Sequence, residues 1–282
     1  LLVGSLLLVN QVNINVVRAD VVYKQGLRPD AEGKWEAAAA LYDRAREMVP
    51  TEDFYHLYYG RAWMERARLE SNPQVRDAYF SEAVASLERA RELAPLNTDH
   101  TANLARLYRT WAESSQDPEV QREKLELALN HYAAATKLSP ANAQLVNEWG
   151  LVYHILGDFE QALARYQESL ALDQEFGQTY LLIGDVYFAQ GNWPQAVSFY
   201  EWGINLDPSS IQGWSSLAYG YAQLGQMDKA ITANLQILTM VPDDYVTLKN
   251  LAILYKEKDQ PAEALAYAEK AAAVAPEQEQ AI

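Results

Sequence analysis

Apolar and polar positions along the chain follow the period of an α-helix, and one short pattern returns several times. In residues 143–176 a first helix, a turn and a second helix are marked by Trp149, Gly150, Tyr153, Gly157, Ala162, Tyr166 and Leu170. Residues 177–210, 211–244 and 245–278 repeat this arrangement with equivalent small and aromatic side chains. The pattern predicts pairs of amphipathic helices joined by tight turns.

Proline spacing gives the length of the repeat. The last three of the prolines that end a unit are evenly spaced, and the first three are evenly spaced at a longer interval: Pro50, Pro95, Pro140, Pro208, Pro242 and Pro276. The gap between Pro140 and Pro208 equals two of the shorter intervals, so the basic unit is the shorter one and two longer units lie near the start. Proline fits the end of a unit because it cannot continue a helix. The other prolines are expected near the start of a second helix, where a missing N–H costs nothing: Pro29, Pro73, Pro118, Pro194 and Pro261.

Each of the two long units carries extra residues equal to about three helical turns. We expect extended helix pairs that are joined at Ser71-Asn72-Pro73 and at Gln116-Asp117-Pro118. Asn72 and Asp117 are the expected N-caps. The alternative is that these units contain longer loops.

Residues 1–17 form an apolar N-terminal segment before the first unit. Polar Asn10 and Gln11 end its apolar run before the roughly 18 residues that a spanning helix requires. The segment is interpreted either as the remnant of a membrane anchor or signal segment, or as a docking segment. Its candidate docking residues are Leu6, Leu7, Leu8, Val9 and Val12.

The local structure of this segment is ambiguous in sequence. Residues 12–16 alternate as in a strand, whereas Val9, Val12, Val16 and Val17 form a helical stripe. The first unit needs a first helix that includes residues 19–25 to pair with its second helix. We therefore expect helix from about Asn13 onward.

The repeated pattern resembles the tetratricopeptide repeat (TPR) over about residues 19–278. Gly150, Tyr153, Ala162 and Tyr166, with their equivalents in the other units, carry the resemblance. It implies an all-α fold, a right-handed superhelical solenoid of about seven helix pairs. The expected units of the solenoid, residues 18–282, are 18–50, 51–95, 96–140, 141–176, 177–210, 211–244 and 245–282.

Composition narrows the possible chemistry. Hydrophobic residues make up 49% of the 282 residues and charged residues 22%, as in ordered globular chains. The formal net charge of −15 argues against nucleic acid as a partner, because phosphate binding requires a basic surface. The absence of cysteine excludes disulfides and thiolate metal sites. No cofactor is expected.

The sequence contains no clustered set of catalytic residues. The four histidines, His56, His100, His131 and His154, are spread along the chain without a metal-binding partner three or four residues away. They are interpreted as structural or surface residues. There is no phosphate-binding glycine-rich loop after a strand and no Gly-x-Ser-x-Gly motif. We therefore expect a protein that is not an enzyme and binds no metal.

The TPR resemblance implies a concave groove lined by the first helix of each pair. The predicted groove residues are Phe54, Leu57, Tyr58, Arg61, Arg106, Arg109, Leu151, Leu181, Phe188 and Tyr219. The apolar members suit an amphipathic or extended apolar segment of a partner, although about half of them can serve inter-repeat packing instead. The three arginines are interpreted either as one basic spot for a carboxylate or as partners of neighbouring glutamates. The Lys and Asn combination of TPR modules that bind acidic chaperone tails is absent.

These features predict a non-enzymatic scaffold for protein–protein interaction and assembly. The expected partner is a protein or peptide, including another copy that docks head to tail through residues 1–17 to form a homo-oligomeric filament.

A further resemblance leads to an alternative function. Residues 15–20 and 23–26, then Trp35, and later residues 52–55 with Gly60-Arg61 look like the TPR region that follows the last membrane helix of bacterial O-antigen ligase or polymerase-like proteins. This resemblance implies an appendage of a glycan-transfer enzyme, located outside the cytoplasm or at the cell surface. A cytoplasmic location is the alternative.

Overall fold

The computed structural model describes residues 2–276, with side chains from Ile14 onward. Over this range the chain forms fourteen α-helices and no β-strand. In chain order the helices are α1 (Leu2–Ala31), α2 (Trp35–Met48), α3 (Asp53–Arg68), α4 (Pro73–Leu93), α5 (Thr98–Ser114), α6 (Pro118–Leu138), α7 (Ala143–Ile155), α8 (Phe159–Leu172), α9 (Gly177–Ala189), α10 (Trp193–Leu206), α11 (Ile211–Gln223), α12 (Met227–Met240), α13 (Tyr245–Glu257) and α14 (Pro261–Val274). The all-α class and the seven helix pairs predicted from the repeat are confirmed.

Contacts divide the chain into two compact units, Leu1–Gly157 and Asp158–Ile282. In the first unit, Tyr23 on α1 connects three helices through ring contacts of 5.7 Å to Tyr42 on α2 and 5.0 Å to Tyr58 on α3. In the second unit, a core of buried side chains that includes Tyr200, Leu217 and Leu251 extends over α9 to α13. The first unit therefore has a series of apolar clusters between its helices, and the second has one that extends over five helices.

Five turns between paired helices contain a residue with left-handed backbone geometry. These residues are Gly33 (φ 70°), Gly157 (φ 76°), Gly191 (φ 74°), Gly225 (φ 71°) and Asp259 (φ 58°). Glycine adopts this conformation at little cost because it has no Cβ atom. In the last pair an aspartate occupies the place of the glycine.

The two long units contain longer helices, as predicted. Helices α3 to α6 have 16, 21, 17 and 21 residues, whereas the helices of the later pairs have 13 or 14. Asn72 caps α4 by accepting hydrogen bonds from the backbone N–H groups of Gln74 (3.0 Å) and Val75 (3.2 Å). Asp117 caps α6 by accepting from the N–H of Glu119 (2.9 Å). The alternative of longer loops is wrong.

Helix α1 differs from the expectation in two ways. The predicted helical structure from Asn13 is confirmed, but the helix already begins at Leu2 and continues unbroken to Ala31. Pro29 lies inside its last turn, so the prediction that it starts the second helix is wrong. The reason is that the helix ends in a Schellman-type turn, in which the Pro29 carbonyl accepts from the N–H of Lys34 (2.8 Å). The side chains of the predicted docking residues Leu6, Leu7, Leu8, Val9 and Val12 lie outside the described part of the structure.

The other four prolines of this group lie at the first or second position of a second helix, as predicted: Pro73, Pro118, Pro194 and Pro261.

Within a pair, a small residue of the first helix faces a large side chain of the second. At Gly184 an added Cβ atom would lie 2.5 Å from the Tyr200 ring. The absence of a side chain therefore lets α9 and α10 approach closely.

Candidate partner-binding site

A cavity of about 270 Å³ opens in the second unit between α11 and α13, with α12 beneath it. We name it the α11–α13 cleft. It is lined by Ser215, Ala218, Tyr219, Ala222, Gln223, Asn234, Asn250, Ile253, Leu254 and Glu257. Tyr219 and Ile253 stand at its rim with relative exposures of 53% and 52%. Large side chains this exposed on facing helices offer apolar contact area to a partner.

Helical periodicity places the α11 residues in the cleft. Gly213, Leu217 and Gly220 are buried on one face of α11, whereas Tyr219 and Ala222 fall on another face of the same helix. The helix begins at a defined point because the Ser210 hydroxyl accepts from the Gly213 N–H (3.1 Å). The register of the apolar face thus fixes where Tyr219 points.

Helix α13 presents the opposite wall in the same way. The Asp244 carboxylate caps it by accepting from the Thr247 N–H (2.8 Å). Leu251 is buried in the core, while Asn250 and Ile253 are exposed on another face. The capped, packed helix therefore holds an amide and an apolar side chain next to each other at the cleft.

Asn234 of α12 forms the floor of the cleft. Its side chain is buried, with a relative exposure of 2%, and its Nδ2 donates to the Ala230 carbonyl (2.8 Å). In four other second helices the equivalent residue is a fully buried tyrosine: Tyr42, Tyr132, Tyr166 or Tyr200. The smaller amide leaves space where those rings lie.

The electrostatic character of the cleft is close to neutral. Glu257 is its only charged lining residue among the described positions. Elsewhere in the chain, buried tyrosine hydroxyls donate to carboxylates, as in Tyr42 to Asp30 (2.7 Å) and Tyr59 to Glu82 (2.9 Å). Burial, with the acceptor carboxylate, raises the pKa of Tyr59 to about 12. The phenols of Tyr42 and Tyr59 therefore remain protonated and act as hydrogen-bond donors at neutral pH.

Two further predicted groove residues of the second unit have different surroundings. Phe188 is half-buried and packs against Trp193 and Tyr219, with ring centroids 4.6 and 5.1 Å away. Leu181 is buried to 2% relative exposure in the core instead of lining the groove. The physical reason is that Gly203 lacks a side chain, which lets α10 lie directly against Leu181.

On α3, packing occupies most of the predicted groove residues. Phe54 and Tyr58 are half-buried and contact the Tyr23 ring at 5.1 and 5.0 Å. Leu57 packs against the core of α3 to α5. Arg61 remains exposed, with its guanidinium 5.6 Å from the centre of the Tyr58 ring. These residues thus serve inter-helix packing to a large extent.

The other two predicted arginines are paired with glutamates. Arg106 donates to Glu148 through Nε (2.8 Å) and Nη2 (3.0 Å), and Arg109 donates to Glu113 (3.3 Å). The glutamate-pairing interpretation therefore describes both, and they form no separate basic spot with Arg61. Leu151 on α7 is half-buried.

Sequence reasoning did not identify Asn234, Asn250 or Ile253. Ile253 was within reach, because it occupies in the last unit the place that Tyr219 occupies in the unit before. The signal for Asn234 was the interrupted series of tyrosines in the second helices. It could be read only by comparing the same position across the repeats.

Two further properties concern the described part of the chain as a whole. Within residues 2–276, no three His, Asp or Glu side chains lie close enough together to hold a metal ion. Nor does any helix in that range combine the length and the apolar character that crossing a bilayer requires.

Comparison with known families and structures identifies the repeat. Residues 140–209 and 181–245 match family models described as Tetratricopeptide repeat. No curated protein matches the chain in sequence. The comparisons do not show the resemblance of the first units to O-antigen ligase-like proteins.

Several solved structures share the fold at low sequence identity. A thermophilic TPR protein of Thermus thermophilus (TTC0263) is similar over 72% of this chain and 99% of its own, with 20% identity and a TM-score of 0.56. A tetratricopeptide repeat protein from Parabacteroides merdae ATCC 43184 is similar over 75% and 78%, with 21% identity and a TM-score of 0.51. The APC/C hetero-tetramer Cut9-Hcn1 contains a chain that is similar over 93% of this one and 47% of its own, with 18% identity and a TM-score of 0.57. Residues 140–245 therefore match tetratricopeptide repeats, and the chain shares its fold with solved TPR proteins.

Proposed function

We propose that this protein binds a segment of a protein partner in the α11–α13 cleft. The TPR fold supports a role as a protein–protein interaction scaffold. The observation that carries the proposal is the pair of half-exposed apolar side chains, Tyr219 and Ile253, on either side of a cavity with an amide floor. Neutral and apolar walls suit an extended or amphipathic segment rather than a highly charged one.

The cleft can contribute useful affinity without a large interface. Fully burying an exposed aromatic or aliphatic side chain gains about 1.5–3 kcal/mol, so covering both of these half-exposed side chains gains about that amount in total. A gain of about 1.4 kcal/mol corresponds to a tenfold change in dissociation constant. Tyr219 and Ile253 are therefore expected to dominate the binding energy of a segment in the cleft.

Peptide display against the full chain tests the proposal. Peptides selected on the wild-type protein are measured against the double variant Tyr219→Ser, Ile253→Ser by fluorescence anisotropy. The matched control is Leu265→Ser, which removes a side chain of 61% exposure on α14, outside the cleft. We expect a loss of at least about tenfold in the double variant and none in the control. Equal affinities in all three proteins contradict the proposal.

We propose self-association through α1 as a second function. Ile14, Val17 and Val21 lie along one face of α1 and are 41%, 65% and 50% exposed. An apolar stripe of this kind favours contact with another surface, here a second copy.

An extracytoplasmic location remains a prediction that fractionation of the native cells checks.

Deletion of residues 1–12 tests self-association. Light scattering compares the particle mass of the full chain with that of the shortened chain and of Val17→Ser. We expect the full chain to form oligomers, and we expect both the deletion and the Val17→Ser substitution to lower the particle mass. The same mass for the full chain, the shortened chain and Val17→Ser contradicts the proposal.

A further inference from the structure

Four second helices carry a tyrosine at one position, and α12 carries Asn234 there. The tyrosines are Tyr42, Tyr132, Tyr166 and Tyr200, and each is at most 1% exposed. This ring is thus a regular filler between the helices of the repeat. Its absence from α12 coincides with the α11–α13 cleft.

Tyr200 shows what the ring does one helix pair earlier. It lies close to Gly184 on α9 and is 3.9 Å from the Cβ position of Gly220 on α11. Its hydroxyl donates to the Asp185 carboxylate (2.7 Å). The ring therefore lies between two successive first helices, and its hydroxyl is satisfied by Asp185 of α9.

The period of the repeat locates the same gap beside Asn234. The counterparts of Gly184, Asp185, Ser216 and Gly220 are Ala218, Tyr219, Asn250 and Leu254, and all four line the cleft. The cavity of about 270 Å³ thus occupies the place that a tyrosine fills in the preceding pair. A buried cavity of about 150 Å³ is large enough to bind benzene. The cleft consequently has room for a phenol ring.

We infer that the cleft receives a tyrosine side chain of the bound partner, an inference that rests on the proposed function. The ring replaces the missing tyrosine of α12 and packs between Tyr219 and Ile253. Its hydroxyl meets the Asn250 amide, the counterpart of Ser216 beside Tyr200. The partner thereby completes the repeat from outside.

Polar groups favour tyrosine over phenylalanine in this cleft. The Asn234 and Asn250 amides and the Glu257 carboxylate can all accept a hydrogen bond from a phenol. Carboxylates of this protein already accept from tyrosine hydroxyls, as at Tyr42 and Tyr200. A phenylalanine would cover these groups without pairing them, which costs binding energy.

The first experiment compares N-acetyl-tyrosinamide, N-acetyl-phenylalaninamide and N-acetyl-leucinamide as probes. Their dissociation constants are measured on the full chain by NMR, from the shifts of the Ala218, Ala222 and Ile253 methyl groups. We expect the tyrosine probe to bind about five- to tenfold more tightly than the phenylalanine probe. The variant Asn250→Ala is expected to remove most of this preference. Equal affinities of the tyrosine and phenylalanine probes for the wild-type chain overturn the inference.

The second experiment refills the cleft from within. The double variant Ala218→Gly, Asn234→Tyr restores the glycine and tyrosine pair seen at Gly184 and Tyr200. We expect it to keep its helical circular dichroism and to lose at least about tenfold in affinity for N-acetyl-tyrosinamide. The control Gln236→Tyr adds a tyrosine to an exposed position of α12 and is expected to bind normally. A folded double variant with unchanged affinity overturns the inference, and if it does not fold the Asn250→Ala result decides.

The two proposals can fail separately. If display peptides depend on Tyr219 and Ile253 but neither contain tyrosine nor respond to the refilled variant, the cleft remains the binding site and the inference is overturned. If no selected peptide depends on the cleft, the proposed function itself fails. A selected tyrosine whose replacement by phenylalanine weakens binding supports both.

Discussion

Asp259 occupies a turn position that is glycine in four other helix pairs. Its φ of 58° lies in the left-handed region, as do the 74° of Gly191 and the values of the other turn glycines. A side chain costs about 1 kcal/mol in that region, somewhat less for aspartate. Nothing lies within 4 Å of a Cβ atom at Gly191, so a substitution there is penalised by backbone strain alone.

We therefore predict opposite effects for two matched substitutions. Gly191→Ala is expected to lower the free energy of unfolding by about 1 kcal/mol, and Asp259→Gly to raise it by about 0.5 kcal/mol. Urea unfolding followed by circular dichroism measures both. A change in the same direction for the two variants contradicts the assignment of strain to Asp259.

Two histidines, the buried His56 and the half-buried His131, predict a pH dependence of stability. Burial is the main cause that lowers the pKa of both side chains. His56 lies with its Nε2 atom 3.2 Å from the Pro50 carbonyl oxygen, and the His131 ring stacks on Tyr108. When the pH falls toward the histidine pKa of the unfolded chain, about 6.5, the unfolded chain binds more protons than the folded one. Stability is therefore lost as the pH falls through this value toward the lower folded pKa.

This loss is expected to be smaller in His56→Gln and in His131→Gln. The measurement is the difference in unfolding free energy between about pH 7.5 and pH 5.5 for each protein, which removes any constant cost of the substitution. A pH difference as large in both variants as in the wild type would show that other groups cause it.

At the level of the element, local sequence signals predicted where the long second helices α4 and α6 begin. Asn72 and Asp117 precede prolines, and the structure confirms both as N-caps. We predict that Asn72→Ala costs about 1 kcal/mol of stability, because the N–H groups of Gln74 and Val75 lose their acceptor. Gln74→Ala, at an exposed neighbouring position, serves as the control in thermal unfolding. An equal change in both variants would argue against the capping role.

Other features of the elements depend on partners that are distant in sequence. Leu181 is buried because glycine on α10 allows close approach, and Arg106 is occupied by Glu148 on α7. Neither contact can be read from one helix alone. Pro29 was assigned to the wrong helix because its place is set by the turn that follows it, and a proline near a helix end is compatible with either side.

At the level of the whole molecule, the repeat made the fold predictable and the site only partly so. The regular period of the sequence predicted the helix pairs, because each pair packs small and aromatic side chains at equivalent positions. The α11–α13 cleft arises instead from a departure from that pattern at Asn234. Tyr219 was predicted as a groove residue from its place in the unit, whereas the cavity beside it emerged only with the three-dimensional arrangement of α11, α12 and α13.

The central claim is that a partner segment binds in the α11–α13 cleft. Methyl NMR of the full chain, titrated with a display-selected peptide, tests it most directly because alanine methyl groups are frequent in both halves of the chain and serve as reporters. We predict that the largest shifts belong to Ala218, Ala222 and Ile253 and that the Tyr219→Ser, Ile253→Ser variant abolishes the shifts at the two alanines. Shifts concentrated in α1 to α7, or unchanged in the variant, would contradict the claim.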